Sequence, residues 1–530
     1  MRFLVIAAAI VLCALRVSAQ RLPEWTRGAT CYEIFVRSFQ DSDGDGIGDL
    51  PGLISRLDYI NDGNPRTTRD LGARCIWLMP IAQSPSYHGY DVTDYYTVES
   101  DYGTNEDLKA LVAAAHKRGI KVIVDMVLNH VSAQHPWFTE ALRDTTSPHR
   151  GWFRWSPTQG PNNRYGGNNW HKSPVRDEYY YGFFWGGMPD LNWENPAVME
   201  EMKKVATFWL RDMDVDGFRL DAVRHLFEQG DQTENVPATH VALREYSRHV
   251  ESVRPDAYTI GEVWDSVGAM LPYYPDQLDS YFAFAVADSI VSAVKHGSGA
   301  GMLAPVLELQ RRVPGHRWSP FLRNHDQPRT MTELGGDVRK AKLAAFLLFT
   351  MPGMPFVYYG EEIGMTGTKP DERLRTPMQW RPVAGAGFTT GTPWEKLADD
   401  SMTVTVAQQE RTRSSLLAWY RRLIHLRDGD MALGTGDLYQ LRTNDDALVA
   451  YVRRAGDRTV LVVANVGERP VSRVEILAPP NTFRPGRHAL LPLLGSRLAP
   501  SITANADGGT ARFVPLVAIE PLTGYLYEVR

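Results

Sequence analysis

Short β-rich apolar runs return eight times between residues 31 and 359, at 31–36, 75–79, 121–126, 217–221, 258–262, 280–285, 321–325 and 355–359. Amphipathic helical patterns lie between most of them, for example at 105–118 and 196–213. Strand–helix alternation repeated eight times predicts a parallel (β/α)8 barrel, in which the chemistry sits where strands end. The spacing breaks once. Residues 131–195 are rich in Trp, Tyr, Asn and Gly and lack a helical period. A structureless loop of that length is unexpected inside one domain, so this stretch reads as an inserted subdomain after the third strand. A helix at 414–428 closes the barrel. Alternating runs at 447–453, 459–464, 511–516 and 524–529, with Gly, Pro and Asn turns between them, then predict an antiparallel β-sandwich. The expected layout is a barrel over 20–130 and 196–430, an insertion over 131–195 and a C-terminal domain over 431–530.

Residues 1–19 read as a secretory leader, with Arg2, an apolar run from Phe3, and Val17-Ser18-Ala19 as the cleavage site. The apolar run is too short to span a bilayer, and no later segment approaches a span. A released, extracellular or periplasmic protein is expected, with no membrane partner once the leader is removed. Lys and Arg total 57 against 62 Asp and Glu. That balance excludes general nucleic-acid binding, which needs a basic footprint, and it suits a neutral substrate. Cys31 and Cys75 both open strand runs. They would bridge if those strands are neighbours, or stand as two buried thiols. The chain is long enough to bury its core without such a staple, and a monomer is expected.

Three acids stand at predicted strand ends. Asp221 closes 217–221, Glu262 closes 258–262, and Asp326 follows Asn324-His325. Strand ends four, five and seven surround one barrel mouth, so the three can converge. Arg219 lies two residues before Asp221, hence on the same strand face, where its cation would keep Asp221 ionised. Two carboxyls of different pKa, one an acid and one a nucleophile, are what glycosidic cleavage requires.

These segments resemble the signatures of the α-amylase family of retaining glycoside hydrolases, glycoside hydrolase family 13. Asp125-Met126-Val127-Leu128-Asn129-His130 resembles the first. The run from Gly217 through Arg219, Asp221 and Ala222 to Arg224-His225 resembles the second. Gly261-Glu262-Val263-Trp264 resembles the third and Asn324-His325-Asp326 the fourth. Met188-Pro189-Asp190-Leu191-Asn192 resembles a fifth, typical of a group between oligo-1,6-glucosidases and neopullulanases that includes secreted bacterial α-amylases. The resemblance covers nearly the whole chain after the leader. It implies Asp221 as nucleophile, Glu262 as general acid and then base, and Asp326 as the carboxylate that steadies the distorted sugar. It implies Arg219 as the residue orienting Asp221, and His130, His325, Tyr90 and His88 as contacts to the sugar before the scissile bond. His225 and Arg375 join them as substrate contacts.

Residues 41–49 place Asp41, Asp43, Asp45 and Asp49 at alternating positions with glycines between, hard oxygen donors on a turning loop that suit Ca²⁺. Gly52 stands where an EF-hand would need its bidentate Glu. In the family this segment resembles a structural calcium loop, which implies ligands from Asp41, Asp43, Asp45, the Ile47 carbonyl and Asp49. A second family calcium site would use Asn129 and His225.

Specificity signals pull two ways. Arg375-Thr376-Pro377-Met378-Gln379-Trp380 resembles α-glucosidases and trehalose synthases, whereas Tyr87-His88-Gly89-Tyr90 and Arg224-His225 resemble true α-amylases. Many exo-acting relatives carry an Asp three residues before the stacking Tyr, paired with the Arg of that first segment to wall off the pocket. Here the position is Tyr87, which would leave Arg375 without that partner and the cleft open. The resemblance therefore implies a retaining α-amylase cutting internal α-1,4 bonds of starch or maltooligosaccharides, with an α-glucosidase or a maltose-converting transglycosylase as the alternative. A non-catalytic glucan-binding relative typically lacks part of the acid triad, and all three acids are present. The aromatic residues concentrate in the insertion and beside the barrel mouth, where sugar-stacking platforms are expected.

Overall fold

The barrel strands carry two apolar faces, and the computed structural model, which describes residues 22–163, 166–495 and 498–530, separates them. Alternate residues point to opposite sides of a strand. Cys31, Cys75, Trp77, Ile123, Ile260 and Phe356 form one cluster inside the barrel. Tyr32, Ile34, Ile76, Leu78, Val122 and Val124, their strand neighbours, join the larger cluster against the surrounding helices. Residues buried on both faces are the mark of a parallel sheet covered by helices. The leader expected at 1–19 lies outside the described residues.

Seven strands form the barrel sheet: Cys31–Ile34, Cys75–Leu78, Lys121–Val127, Gly217–Asp221, Tyr258–Gly261, Ser280–Tyr281 and Phe356–Tyr358. From Cys31–Ile34 to Ser280–Tyr281 consecutive strands pair in parallel, and Phe356–Tyr358 returns to pair with Cys31–Ile34. The seventh position departs from expectation. No strand forms over 321–325. The closing contacts come just earlier, from Ser319, whose N–H donates to the Tyr281 carbonyl at 2.9 Å, and from the Pro320 carbonyl, which accepts from Phe356 at 2.9 Å. Pro320 has no N–H, so a regular ladder cannot run through this segment. The barrel closes nonetheless. Cys31 and Cys75 face each other in register, 4.3 Å apart at Cα, and are joined as a disulfide.

The barrel helices start where caps allow. Asn105–His116 begins at Thr104, whose side chain and that of Asp107 form a reciprocal capping box. Pro196–Thr207 begins on Asn195 with Pro at its first position, and continues as a π-helical turn over Phe208–Asp212. Leu416–Gly429 begins on Ser415.

The insertion folds as a helix, Pro136–Arg143, and a three-stranded sheet with Tyr179–Tyr181 between Trp155–Ser156 and Trp170–Lys172. Its rings pack on one another: Phe138 lies 5.0 Å from Phe153 and 4.9 Å from Tyr180, and Trp137 lies 4.8 Å from Trp152. Most of the insertion's aromatics are thus its own core, and Phe184 and Trp185 remain exposed. The segment returns to the barrel through Leu191, whose N–H donates to the Asn129 carbonyl at 2.8 Å.

The C-terminal domain has a five-stranded antiparallel sheet in the order Asp437–Gln440, Leu448–Ala455, Arg458–Asn465, Thr523–Val529, Leu490–Leu494. Its faces alternate by residue. Val460, Val462 and Ala464 join the barrel's outer core, while Leu461 and Val463 join a separate cluster within the C-terminal domain. The run at 511–516 is not a strand; only Phe513 bridges, to Ile476. Pro515 interrupts it. Among the described residues, no helix is long and apolar enough to cross a membrane.

Candidate active site

Strand ends deliver Asp221 and Glu262, and the segment after Pro320 brings Asp326, to one mouth. Asp221 is the last residue of Gly217–Asp221, and the next residue, Ala222, has φ 45°, ψ 35°. A non-glycine residue in the left-handed region costs of order 1 kcal/mol and marks a position fixed by its surroundings. That turn aims the Ala222 N–H at Glu262 Oε2, 3.2 Å away. Glu262 follows the neighbouring strand, its own N–H donating to the Leu220 carbonyl at 3.0 Å.

Arg219 ties the acids together. Its Nη1 lies 2.6 Å from Asp221 Oδ1 and 2.9 Å from Asp125 Oδ1, and its Nη2 lies 2.8 Å from Glu262 Oε2. Arg219 is fully buried. Burial pushes the Glu262 carboxyl up; Arg219 pulls it back while Asp221 and Asp326 add to the rise. Burial likewise lifts Asp125 to about 7. The opposite holds at Asp326. Burial opposes it, but His325 and Arg375 hold that carboxyl well below the usual range.

Asp326 Oδ1 lies 3.0 Å from Arg375 Nη2, and Oδ2 lies 3.1 Å from His325 Nε2. Arg375 also donates through Nε to the His325 carbonyl at 3.2 Å and lies 3.6 Å from Asp371. Position 87 offers Arg375 no carboxylate, and the guanidinium turns instead toward Asp326 and Asp371. Tyr87 does not pair with it as an acid would. Its ring stacks on Trp394, with centroids 5.3 Å apart and planes at 23°.

Tyr90 lies nearly parallel to the His325 ring at 5.7 Å, with its hydroxyl 3.1 Å from Asp125 Oδ2. His88 Nδ1 accepts from the Tyr90 N–H at 3.1 Å. His130 is buried, its Nε2 makes no hydrogen bond among the described residues, and burial lowers its pKa to about 4. That neutral ring faces the cleft. His225 stacks on Phe183 at 4.1 Å.

One cleft of about 680 Å³ gathers Asp221, Glu262 and Asp326 with His88, Tyr90, His130, His225 and Arg375. Of the expected site residues outside the metal loop, Arg219 and His325 stand behind this lining. Trp264, Lys369 and Asp371 line the cleft as well. The Trp264 ring stacks on Phe284 at 5.0 Å and 9°, half exposed. Glu33 was not singled out from sequence. It lies on the first strand with its Oε1 2.6 Å from His325 Nδ1. An acid in phase with inward Cys31 was its only signal.

In the loop at 41–49, oxygens of Asp41, Asp43 and Asp49 converge within 4.8 Å of one another. Asp45 is not in that group; its Oδ1 accepts instead from the Ile47 N–H at 2.7 Å. Asp49 also caps the helix Leu50–Ser55. At the second expected site, Asn129 Oδ1 is buried and makes no hydrogen bond among the described residues, and the same holds for Asp190 Oδ2 from the fifth signature.

The model for the Alpha amylase, catalytic domain family matches residues 33–436. "Alpha-amylase 3" of Dictyoglomus thermophilum is 40% identical over 447 residues, 83% of this chain and 85% of that protein. "Trehalose synthase/amylase TreS" of Mycobacterium tuberculosis is 36% identical over 516 residues, 84% of this chain and 83% of that protein. The crystal structure of alpha-amylase from H. orenii superposes with a TM-score of 0.82 at 41% identity, covering 94% of this chain and 99% of that one. A catalytic-domain match running from the first barrel strand to the start of the sandwich, with relatives of this similarity along most of the chain, places the protein in the α-amylase family of glycoside hydrolases.

Proposed function

We propose that this glycoside hydrolase is an exported α-amylase that cuts internal α-1,4 bonds of starch-like glucans with retention of configuration. The observation that carries the reading is the arrangement of Tyr87, stacked on Trp394, with Arg375 turned toward Asp326. A carboxylate at position 87 would close that end of the cleft, and the aromatic ring leaves it free to take a chain. Ala222 after Asp221 resembles α-1,4-acting members of the family, whereas α-1,6-acting ones tend to have Val there. The single guanidinium held by both Asp221 and Glu262 keeps those carboxyls close, in keeping with the separation of about 5 Å used for retention.

In this mechanism Glu262, protonated at rest, donates its proton to the glycosidic oxygen. The Asp221 carboxylate attacks the anomeric carbon as that bond breaks, forming a glycosyl ester. Glu262, now a carboxylate, takes a proton from water, whose oxygen attacks the same carbon and releases Asp221. Asp326, kept ionised, accepts hydrogen bonds from the distorted sugar, and Tyr90 stacks on it.

The converging oxygens of Asp41, Asp43 and Asp49 fit a hard divalent cation, and calcium is the proposed occupant, with a structural role. The leader at 1–19 and the Cys31–Cys75 bridge support export, since disulfides persist in oxidising compartments. A second reading, an α-glucosidase or maltose-converting enzyme, is favoured by Arg375 and Asp371 standing at one side of the cleft. The product profile on soluble starch, maltotriose and maltose separates them. Mixed oligosaccharides in the first minutes are expected; glucose alone from the start, or trehalose from maltose, overturns the α-amylase reading.

A further inference from the structure

The barrel interior holds a carboxyl that the mechanism above does not use. Glu33 is 2% exposed and shares its strand face with Cys31. Its neighbours across the sheet are Trp77 and Tyr358. Burying an acid there is costly unless it is paired and hydrogen-bonded. Its partner is His325, whose Nδ1 lies 2.6 Å from Glu33 Oε1. The other ring nitrogen, Nε2, lies 3.1 Å from Asp326 Oδ2 and 2.7 Å from the Tyr90 hydroxyl. A neutral imidazole has one N–H and one lone pair. Only the imidazolium donates to both carboxylates at once.

We propose that Glu33 is a positioning residue for the reaction: by accepting from His325 Nδ1 it keeps that ring doubly protonated, so that Nε2–H holds Asp326 in place against the sugar. This rests on the assignment of Asp326 made above. The other charged or titratable groups facing the pair are Arg219 and Asp125 on neighbouring strands, Glu262, Arg375, whose Nε donates to the His325 carbonyl, and the hydroxyls of Tyr90 and Tyr358. Arg219 and Arg375 disfavour the ring's charge, so the carboxylates must outweigh them. Asp326 and Glu33 raise His325 to about 9 against the effect of burial, while burial raises Glu33 itself and His325 and Arg219 draw it back toward the carboxylate.

Glu33→Gln keeps the shape and the acceptor but removes the charge. The ring then carries a single proton, and in the tautomer that keeps it on Nδ1, facing the amide oxygen, a lone pair is turned toward Asp326. The expected result is a fall in kcat on soluble starch of about tenfold with KM little changed, the order seen when an outer partner of a functional histidine is lost. The deficit should grow as pH rises, since the neutral ring gains population. In enzyme labelled with ¹⁵N-histidine, with His325→Gln giving the assignment, the His325 titration should fall by about one unit or more. Glu33→Gln placed on His325→Gln should add no further loss. Equal losses in both backgrounds, or an unmoved pH profile and titration, overturn the proposal. The unmodified enzyme supplies a readout independent of any variant's folding: His325 found neutral at pH 7 overturns it as well. Asp326→Asn tests the parent assignment separately. If that variant keeps its turnover the site reading fails, whereas a dead Asp326→Asn beside an unaffected Glu33→Gln removes only the role of Glu33.

Discussion

Arg219 directs one buried guanidinium at three carboxylates, Asp125, Asp221 and Glu262, and their different surroundings set their charges. Burial pushes up both Asp125 and Glu262, and of the two only Glu262 lines the cleft, which suits an acid that must start protonated. Replacing Asp221 with Asn or Glu262 with Gln should lower kcat roughly 10³-fold or more while the fold persists. Turnover near the unmodified level, with an unchanged melting curve, would end the assignment. The raised pKa also has a sign. Activity needs Glu262 protonated, so kcat/KM should fall on the alkaline side as pH rises through its pKa, above the usual carboxylate range, and Glu262→Gln should abolish that limb. Tyr87 supports a different test. Tyr87→Asp offers Arg375 a new carboxylate, and should lower the ratio of starch to maltose turnover by about tenfold, some 1.4 kcal/mol of discrimination. An unchanged ratio would remove Tyr87 from the specificity argument. Asp221, Glu262 and Asp326 were legible in sequence because each sits in a short segment at the end of an apolar run. The partners of Arg375 and the Glu33–His325 pair were not. Glu33 and His325 lie 292 positions apart, and only barrel closure brings them together.

At the scale of elements, the strands that read as apolar runs formed where runs and hydrogen-bond donors coincide. The seventh did not, because Pro320 removes a donor at the point where the ladder passes, and the run at 511–516 failed at Pro515 for the same reason. Neither proline alters hydrophobicity, which is why the apolar pattern alone does not reveal the gap. The 41–49 loop shows the converse limit. Its alternation of Asp and Gly is plain in sequence, but which oxygens converge depends on the turn. Asp41 is pinned by the N–H groups of Asp43, Gly44 and Gly46 and by the Thr389 hydroxyl, whereas Asp45 turns to its own Ile47. With calcium at a hundredfold excess over its Kd, binding should stabilise the fold by about 2.7 kcal/mol. Chelation should therefore lower the melting temperature, and Asp43→Asn, which leaves the Asp49 helix cap intact, should make melting insensitive to chelator. The same Tm with calcium and with chelator would exclude a structural ion in this loop.

At the scale of the molecule, the sandwich is part of the barrel's core rather than an appendage. The helix Val338–Thr350 meets the C-terminal strand Thr523–Val529, and Val460, Val462, Ala464 and Leu526 of the sheet belong to the barrel's outer cluster. Buried arginines at the seam donate to main-chain oxygens. Arg453 crosses it to the Thr350 carbonyl at 2.6 Å, while Arg427 braces the barrel side by donating to the carbonyls of Phe349 and Met351 at 2.9 and 2.8 Å. Gly524 lies where the sheet comes closest to the helix, and a Cβ there would meet the Phe346 ring at 2.4 Å. Phe346 is fully buried and has nowhere to move. Gly524→Val should therefore cost about 1–3 kcal/mol through overpacking. Because the seam is continuous with the barrel core, that cost should lower the one cooperative transition of the whole chain, read by calorimetry, and not split off a separate melting of the C-terminal domain. Two resolved transitions in the unmodified protein, or a Gly524→Val variant that melts at the same temperature, would show that the barrel and the sandwich are energetically independent.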